Sequence, residues 1–370
     1  MVNYNELMNA LNYAKSAVSK NASMEMLTNF LLEVKDEQLV VTATNLEISI
    51  RYVSAATVEK KGRVLVPANL FYEAVKKLSK SDILLELDEK NNLNIQSGMS
   101  SFNIRTMLAE DFPEFPEIQS QEGNLTISAA LLHDMLNGVV YAISNSDTQP
   151  GLTGVRFEVA KKHLTLVAID GYRIAIKGSE LSEITYNETR NAFLVPGRSI
   201  KEIDRIIGNK LELKVSWDDK HLIINKGNMT VTACLLDSEY VDYKKMIPDT
   251  FSTTANVNRK SLKEALERAM ILAKRSTSNI VKLAINNDEI AVTSAIEEGD
   301  VEDFVPISSL DGEKIKIAFN GFFLLDALRQ EFSEVVLLEM TGKNGPMVIK
   351  NETDGRNNLN LLLPIRCTDN

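Results

Sequence analysis

Apolar residues recur at the spacing of an amphipathic helix in three widely separated places. They are Leu7, Leu11, Ala14 and Val18; Leu131, Leu132, Met135, Leu136 and Val139; and Leu262, Ala265, Leu266, Ala269 and Met270. Steps of three and four residues put each set on one helix face, so each predicts a helix with one buried stripe. Between these segments the pattern changes to strict alternation, as in Leu211-Glu-Leu-Lys-Val-Ser-Trp217 and Lys314-Ile-Lys-Ile-Ala-Phe319. Alternation predicts strands with one wet face, and turn sequences such as Trp217-Asp-Asp-Lys220 and Lys343-Asn-Gly-Pro346 join them as antiparallel neighbours.

The pattern also repeats. Val66-Pro-Ala-Asn-Leu-Phe-Tyr-Glu-Ala-Val-Lys-Lys-Leu78 is echoed by segments beginning at Val195 and Phe319, at separations of 129 and 124 residues. A second set, beginning at Val40, Leu166 and Ala291, recurs at separations of 126 and 125 residues. Two independent markers with one period predict a triplicated α+β chain. Each repeat reads as a helix, several antiparallel strands, a second helix and further strands. Helices are expected over residues 1–20, 66–80, 125–140, 194–208, 257–275 and 319–331. The polar joins Gln119 to Asn124 and Asp249 to Asn256 set the expected domains at 1–122, 125–247 and 251–370. A single doubly wound sheet is the competing architecture, but its strands would be continuously apolar.

Composition narrows the class. The chain has 370 residues, 44% hydrophobic and 25% charged, as in ordinary globular proteins and unlike disordered or fibrous ones. No segment has the apolar length of a membrane span, and Met1 to Leu11 does not read as a signal peptide, so a cytoplasmic protein without a membrane partner is expected. Two cysteines, Cys234 and Cys367, suit a reducing compartment and neither a disulfide framework nor a zinc site.

A net charge of −10 argues against a nucleic-acid partner only if the charge is evenly spread. It is not. The six helical segments hold 15 lysines and arginines against 9 acids, whereas the rest of the chain holds 26 against 42. In the second helix Leu70, Phe71, Ala74, Val75 and Leu78 are expected to face inward, leaving Lys76, Lys77 and Lys80 outside. In the fourth, Ile200, Ile203, Ile206 and Ile207 face inward and Arg198, Lys201 and Arg205 outside. With Lys20 at the end of the first helix, these residues form a basic helical layer suited to phosphates without sequence readout. Solvated helix faces are the plainer reading of any one of them.

Catalytic chemistry finds no foothold. His133, His163 and His221 lie far apart without ligand-spaced neighbours, and no phosphate loop or nucleophile elbow is present. Acid pairs such as Glu110-Asp111 and Glu297-Glu298 sit beside turn residues as surface groups would. No catalytic residue, cofactor or metal is expected. An enzyme of other chemistry and an adhesive β-rich protein remain the alternatives, the first lacking a convergent polar cluster and the second an export signal.

Val167-Ala-Ile-Asp-Gly-Tyr-Arg-Ile-Ala175 resembles the Val-Ala-Thr-Asp-Gly-His-Arg-Leu-Ala signature of the bacterial beta sliding clamp family, the processivity subunit of DNA polymerase III. Leu194-Val-Pro196, Glu110-Asp-Phe-Pro113 and Leu363-Pro-Ile-Arg366 resemble further family motifs in the same order. The resemblance implies three similar domains per chain and two chains joined head to tail in a ring, with helices lining the hole. It also implies sequence-independent binding of double-stranded DNA. A hydrophobic pocket between the second and third domains would dock replicative and other DNA polymerases, the clamp loader and repair proteins through short motifs. Carried over by position, the pocket residues are Leu152, Ile169, Gly171, Tyr172, Arg173, Ile174, Val241, Lys245, Met246, Pro346, Leu361, Leu363, Pro364, Ile365 and Arg366. Ile169, Tyr172 and Val241 depart from the family's common Thr, His and Pro. The implied dimer contact sets Ile271 and Leu272 of one chain against Phe112 of the other.

Overall fold

A computed structural model describes the chain except residues 20–23, 119–121, 331–332, 354, 356 and 367–370. Lys20 and Cys367 therefore lie outside the described residues. The α-helices are α1 (Tyr4–Ala14), α2 (Ala68–Lys77), α3 (Ala129–Asn137), α4 (Gly197–Ile207), α5 (Arg259–Ala273) and α6 (Gly321–Leu328). Their starts follow local chemistry. The side chains of Asn3, Asn258 and Asn320 accept from the backbone N–H of Asn5, Ser261 and Phe322 at 3.0, 2.9 and 3.0 Å, capping α1, α5 and α6. Pro67 and Pro196 stand immediately before α2 and α4.

Burial follows the predicted stripes with informative exceptions. Ile200, Ile203, Ile206 and Ile207 of α4 are all buried, each contributing about 1.5–3 kcal/mol of transfer free energy. In α2, Phe71, Ala74 and Val75 are buried, but Leu70 is 56% exposed, contrary to its expected inward position. The first helix ends at Ala14, with a short 3-10 turn Lys15–Ala17, rather than running to residue 20. Lys80 falls beyond the end of α2, in the loop that precedes the next strand.

The triplication is visible as one order of elements. After its opening helix each repeat has a hairpin of two strands, a third strand, a strand that leads into the second helix, and three more strands; the second repeat alone inserts a short strand, Ile184–Tyr186, after its third. The third strands are Ile48–Ala55, Arg173–Glu180 and Gly299–Gly312, and the last strands are Ser100–Arg105, Met229–Cys234 and Asn358–Leu362. A backbone bond recurs with them. Past each last strand, Met107, Leu236 and Ile365 donate to the carbonyls of Leu65, Leu194 and Ala318, on the strand that leads into the second helix of the same repeat, at 2.9, 2.8 and 2.7 Å.

Spatially the chain forms two compact units, Met1–His133 with Leu181–Leu236, and Asp134–Glu180 with Asp237–Asn370. Each unit is held by a sheet that runs from one repeat into another. In the first, Met229–Cys234 pairs antiparallel with Ile48–Ala55, in register Thr230↔Arg51 and Thr232↔Ser49. In the second, Asn358–Leu362 pairs antiparallel with Arg173–Glu180, in register Leu359↔Ile176 and Leu361↔Ile174. All assigned strand pairs are antiparallel, as the alternation predicts. Trp217 is fully buried in the first unit beneath Gly123, where a Cβ would lie 2.0 Å from the indole ring. Among the described residues no helix is long and apolar enough to cross a membrane.

Candidate functional site

The second strand junction builds the apolar site. Alternation turns Ile174 and Ile176 to one face of their strand, and the register brings Leu361 and Leu359 beside them. Leu152, Val167, Ile169, Tyr243, Ile247 and Val348 complete this buried cluster, with Tyr240 and Val241 packed against it. The opposite face turns to the helices, where Lys177 pairs with Asp134 of α3 at 3.2 Å.

A tight turn supplies the rim. The Asp170 carboxylate accepts from the backbone N–H of Tyr172 and Arg173 at 2.9 and 3.0 Å, and Gly171 adopts φ +91°, a conformation that suits glycine. The Tyr172 carbonyl then accepts from Leu363 N–H at 2.9 Å, which fixes the C-terminal segment beside the turn. Tyr172, Leu363 and Met246 are exposed, each within two residues in sequence of a member of the buried cluster.

Arg173 anchors the rim from behind. Its guanidinium donates to Asp170 and to Asp326 of α6 at 2.8 Å each, and to the Tyr141 carbonyl at 2.5 Å. It also lies 4.3 Å from the Phe323 ring centroid. The Tyr141 hydroxyl donates to the Asn360 side chain, and burial pushes its phenol far above the ordinary tyrosine range against the opposing charge of Arg173. The segment Tyr243–Met246 is held by Glu158, which accepts from the Tyr243 hydroxyl at 3.0 Å and pairs with Lys244 and Arg156 at 3.0 and 2.7 Å. Burial opposes the Glu158 charge, but these partners outweigh it and hold its carboxyl below the ordinary range.

Most of the expected pocket residues converge here. Leu152, Ile169, Ile174, Val241 and Leu361 join the cluster, and Gly171, Tyr172, Arg173 and Leu363 form the turn and its partner. Lys245 directs its ammonium to Asp242 at 2.8 Å, Ile365 bonds to the Ala318 strand edge, Arg366 is exposed, and Pro346 and Pro364 are half-buried. Tyr141, Asp326, Tyr240 and Tyr243 are additions that the sequence reading did not single out.

The basic residues lie in the first unit. Lys76, Lys77, Lys80, Arg198, Lys201 and Arg205 are exposed. Lys15, also exposed and not singled out earlier, joins Lys76 on the Tyr72 ring, at 3.9 and 5.7 Å from its centroid. Arg205 donates to Ser16 at 2.8 Å, so α4 brings its basic face beside the end of α1. Of the expected dimer residues, Ile271 is exposed and Leu272 half-buried. Phe112 is only 7% exposed, packed with Leu65 and Ala109, and the exposed apolar residues near it in sequence are Phe102, Met107 and Leu108. Among the described residues no group of three or more His, Cys, Asp or Glu could hold a metal ion.

Three models of the DNA polymerase III beta subunit match in series: the N-terminal domain over residues 1–116, the central domain over 126–242 and the C-terminal domain over 244–366. The chain belongs to the bacterial beta sliding clamp family. It is 26% identical to the beta sliding clamp of Staphylococcus aureus over 366 residues, covering 96% of each chain. The DNA polymerase sliding clamp of Bacillus subtilis superposes with a TM-score of 0.93 at 27% identity, over 99% of this chain and 98% of that one. The beta subunit of Thermotoga maritima superposes with a TM-score of 0.87 at 30% identity, over 99% of both. As a beta sliding clamp the chain is a non-catalytic processivity factor of DNA polymerase III with three clamp domains.

Proposed function

We propose that two copies of the chain close head to tail into a ring around duplex DNA, in the cytoplasm, with the repeats bounded at 1–122, 125–247 and 251–370. The observation that carries this reading is the recurring strand junction. The last strand of the second repeat pairs with the third strand of the first, and the last strand of the third repeat with the third strand of the second. Among the open strand edges of the described residues are Ser100–Arg105, the outer strand of its sheet, and residues 299–306, paired on one side only. A second chain would supply both missing partners. Their chemistry supports the match, because Arg105 lies on one edge and Asp300 and Glu302 on the other, with exposed Phe102 and Leu108 near the first and Phe304 and Ile271 near the second.

Within such a ring the exposed lysines and arginines of α2 and α4 hold phosphates without reading bases, so the ring stays on DNA yet slides. The apolar site takes short motifs from polymerases, the clamp loader and repair proteins, its buried floor accepting hydrophobic anchors and its exposed rim ordering around them. Light scattering tests the assembly. The wild type is expected at twice the 41.2 kDa chain mass, and Ile271→Ala with Leu272→Ala as a folded monomer. A wild-type monomer, or a double variant that remains fully dimeric, contradicts this assembly.

A further inference from the structure

The first strand junction carries its own cavity. It measures about 490 Å³ and is lined by Arg51, Phe115, Glu117, Ser216, Asn225 and Thr230 among others. It lies over the strand positions that form the apolar site in the second junction. The turns before the two junctions match in detail: the Asn45 side chain accepts from Glu47 and Ile48 N–H at 3.0 and 2.8 Å, as Asp170 does from Tyr172 and Arg173. Cys234 N–H bonds to the Glu47 carbonyl at 2.9 Å, as Leu363 does to Tyr172.

On this shared scaffold the chemistry is inverted. The hairpin and junction registers set Thr42, Thr44, Ser49 and Arg51 where the second junction has Val167, Ile169, Ile174 and Ile176, and Thr230 and Thr232 where it has Leu359 and Leu361. Burying such polar groups is costly unless each finds a partner. Thr44 and Ser49 satisfy each other at 2.7 Å, whereas Arg51 Nε and Thr232 Oγ1 are buried without a hydrogen-bond partner.

Arg51 already shows what it prefers. Its guanidinium lies 4.1 Å from the centroid of the Phe115 ring and 3.6 Å from the Glu117 carboxylate, both on the segment that leaves the first repeat. The Glu117 side chain is mostly exposed, and at that distance the pair is an ion pair without a hydrogen bond. Phe115-Pro116-Glu117 is thus an aromatic and an acid held loosely on a cation, while Asn225, whose carbonyl accepts from Thr230 at 2.8 Å, keeps its amide N–H groups for a ligand.

We propose that this cavity is a second peptide-docking site, taking a partner segment that carries an aromatic residue two positions before an acidic one, with Arg51 as the anchor for the carboxylate. Phe115-Pro116-Glu117 is its resident mimic, which an incoming segment displaces or supplements. The Arg51 fork suits a carboxylate, and Ser216 and Asn225 supply further donors. The site does not depend on the apolar pocket or on ring closure.

Calorimetric titration of the full-length chain with acetyl-Gly-Phe-Pro-Glu-Gly-amide, and with the same peptide carrying Gln for Glu, tests this. The acidic peptide is expected to bind saturably and the Gln peptide at least severalfold more weakly. Glu117→Gln removes the internal competitor and is expected to tighten binding about two- to fivefold, the worth of an exposed ion pair. Arg51→Ala is expected to abolish binding. Asn225→Asp, which adds a negative charge beside the anchor, is expected to weaken it strongly and serves if Arg51→Ala does not fold. Leu363→Ala is expected to leave it unchanged. Equal binding of the two peptides, no saturable binding to Glu117→Gln, full binding to folded Arg51→Ala, or loss in Leu363→Ala would each overturn the proposal.

Discussion

Arg173 and Asp326 meet at 2.8 Å although 153 residues separate them in the chain. One belongs to the turn of the second repeat and the other to α6 of the third, so this ion pair ties together two pieces of chain that form the apolar site. The Arg173 side chain is nearly buried, which raises the cost of leaving it short of a partner. Asp326→Ala is expected to lower unfolding free energy by about 1–3 kcal/mol, and Asp326→Asn, which keeps an acceptor, by less. Urea unfolding measures both, and an Ala variant as stable as wild type would show that Asp170 and the Tyr141 carbonyl suffice.

Leu363 and Met246 are 44% and 47% exposed, so neither fills a domain core. Their truncation is expected to change stability by no more than about 0.5 kcal/mol. If they anchor a docked motif, each substitution by alanine weakens a polymerase-derived peptide by about 2 kcal/mol. Calorimetry on the folded variants decides it. Unchanged peptide affinity would remove both from the site.

Glu158 gives the site an acid limit. A carboxylate held below its ordinary value contributes stability that is complete above that value and is lost as pH falls through the lowered one. The Tyr243–Met246 segment is therefore expected to stay pinned down to about pH 4.5 and to loosen below it. NMR shifts of the Tyr243 ring should report the transition, and Glu158→Gln should remove it. A wild-type midpoint above the ordinary glutamate range would contradict the assigned partners.

Much of this architecture was legible in local pattern. The helix stripes, the alternation and the period identified the repeated fold, and Asp170 to Ile174 was readable because its turn chemistry is contiguous. What escaped depends on contacts that no local period encodes. Leu70 continues an apolar run, yet its angular position on α2 leaves it in solvent, and Lys80 follows a helix that stops at Lys77. Tyr141, Asn360 and Asp326 become neighbours only through strand pairing between repeats, and register across more than a hundred residues cannot be read from spacing. The polar first junction was hidden for the same reason, since Thr230 gains its meaning only opposite Arg51.

Retention on circular DNA tests the ring most directly. The chain, loaded by a clamp loader onto a nicked plasmid and separated from free protein, is expected to remain bound through a wash at high salt that breaks phosphate contacts, because closure rather than affinity holds it. Cutting the plasmid once should release it, since the ring slides off the ends. Loss from the intact circle in high salt, or persistence on the cut plasmid, would contradict an encircling clamp.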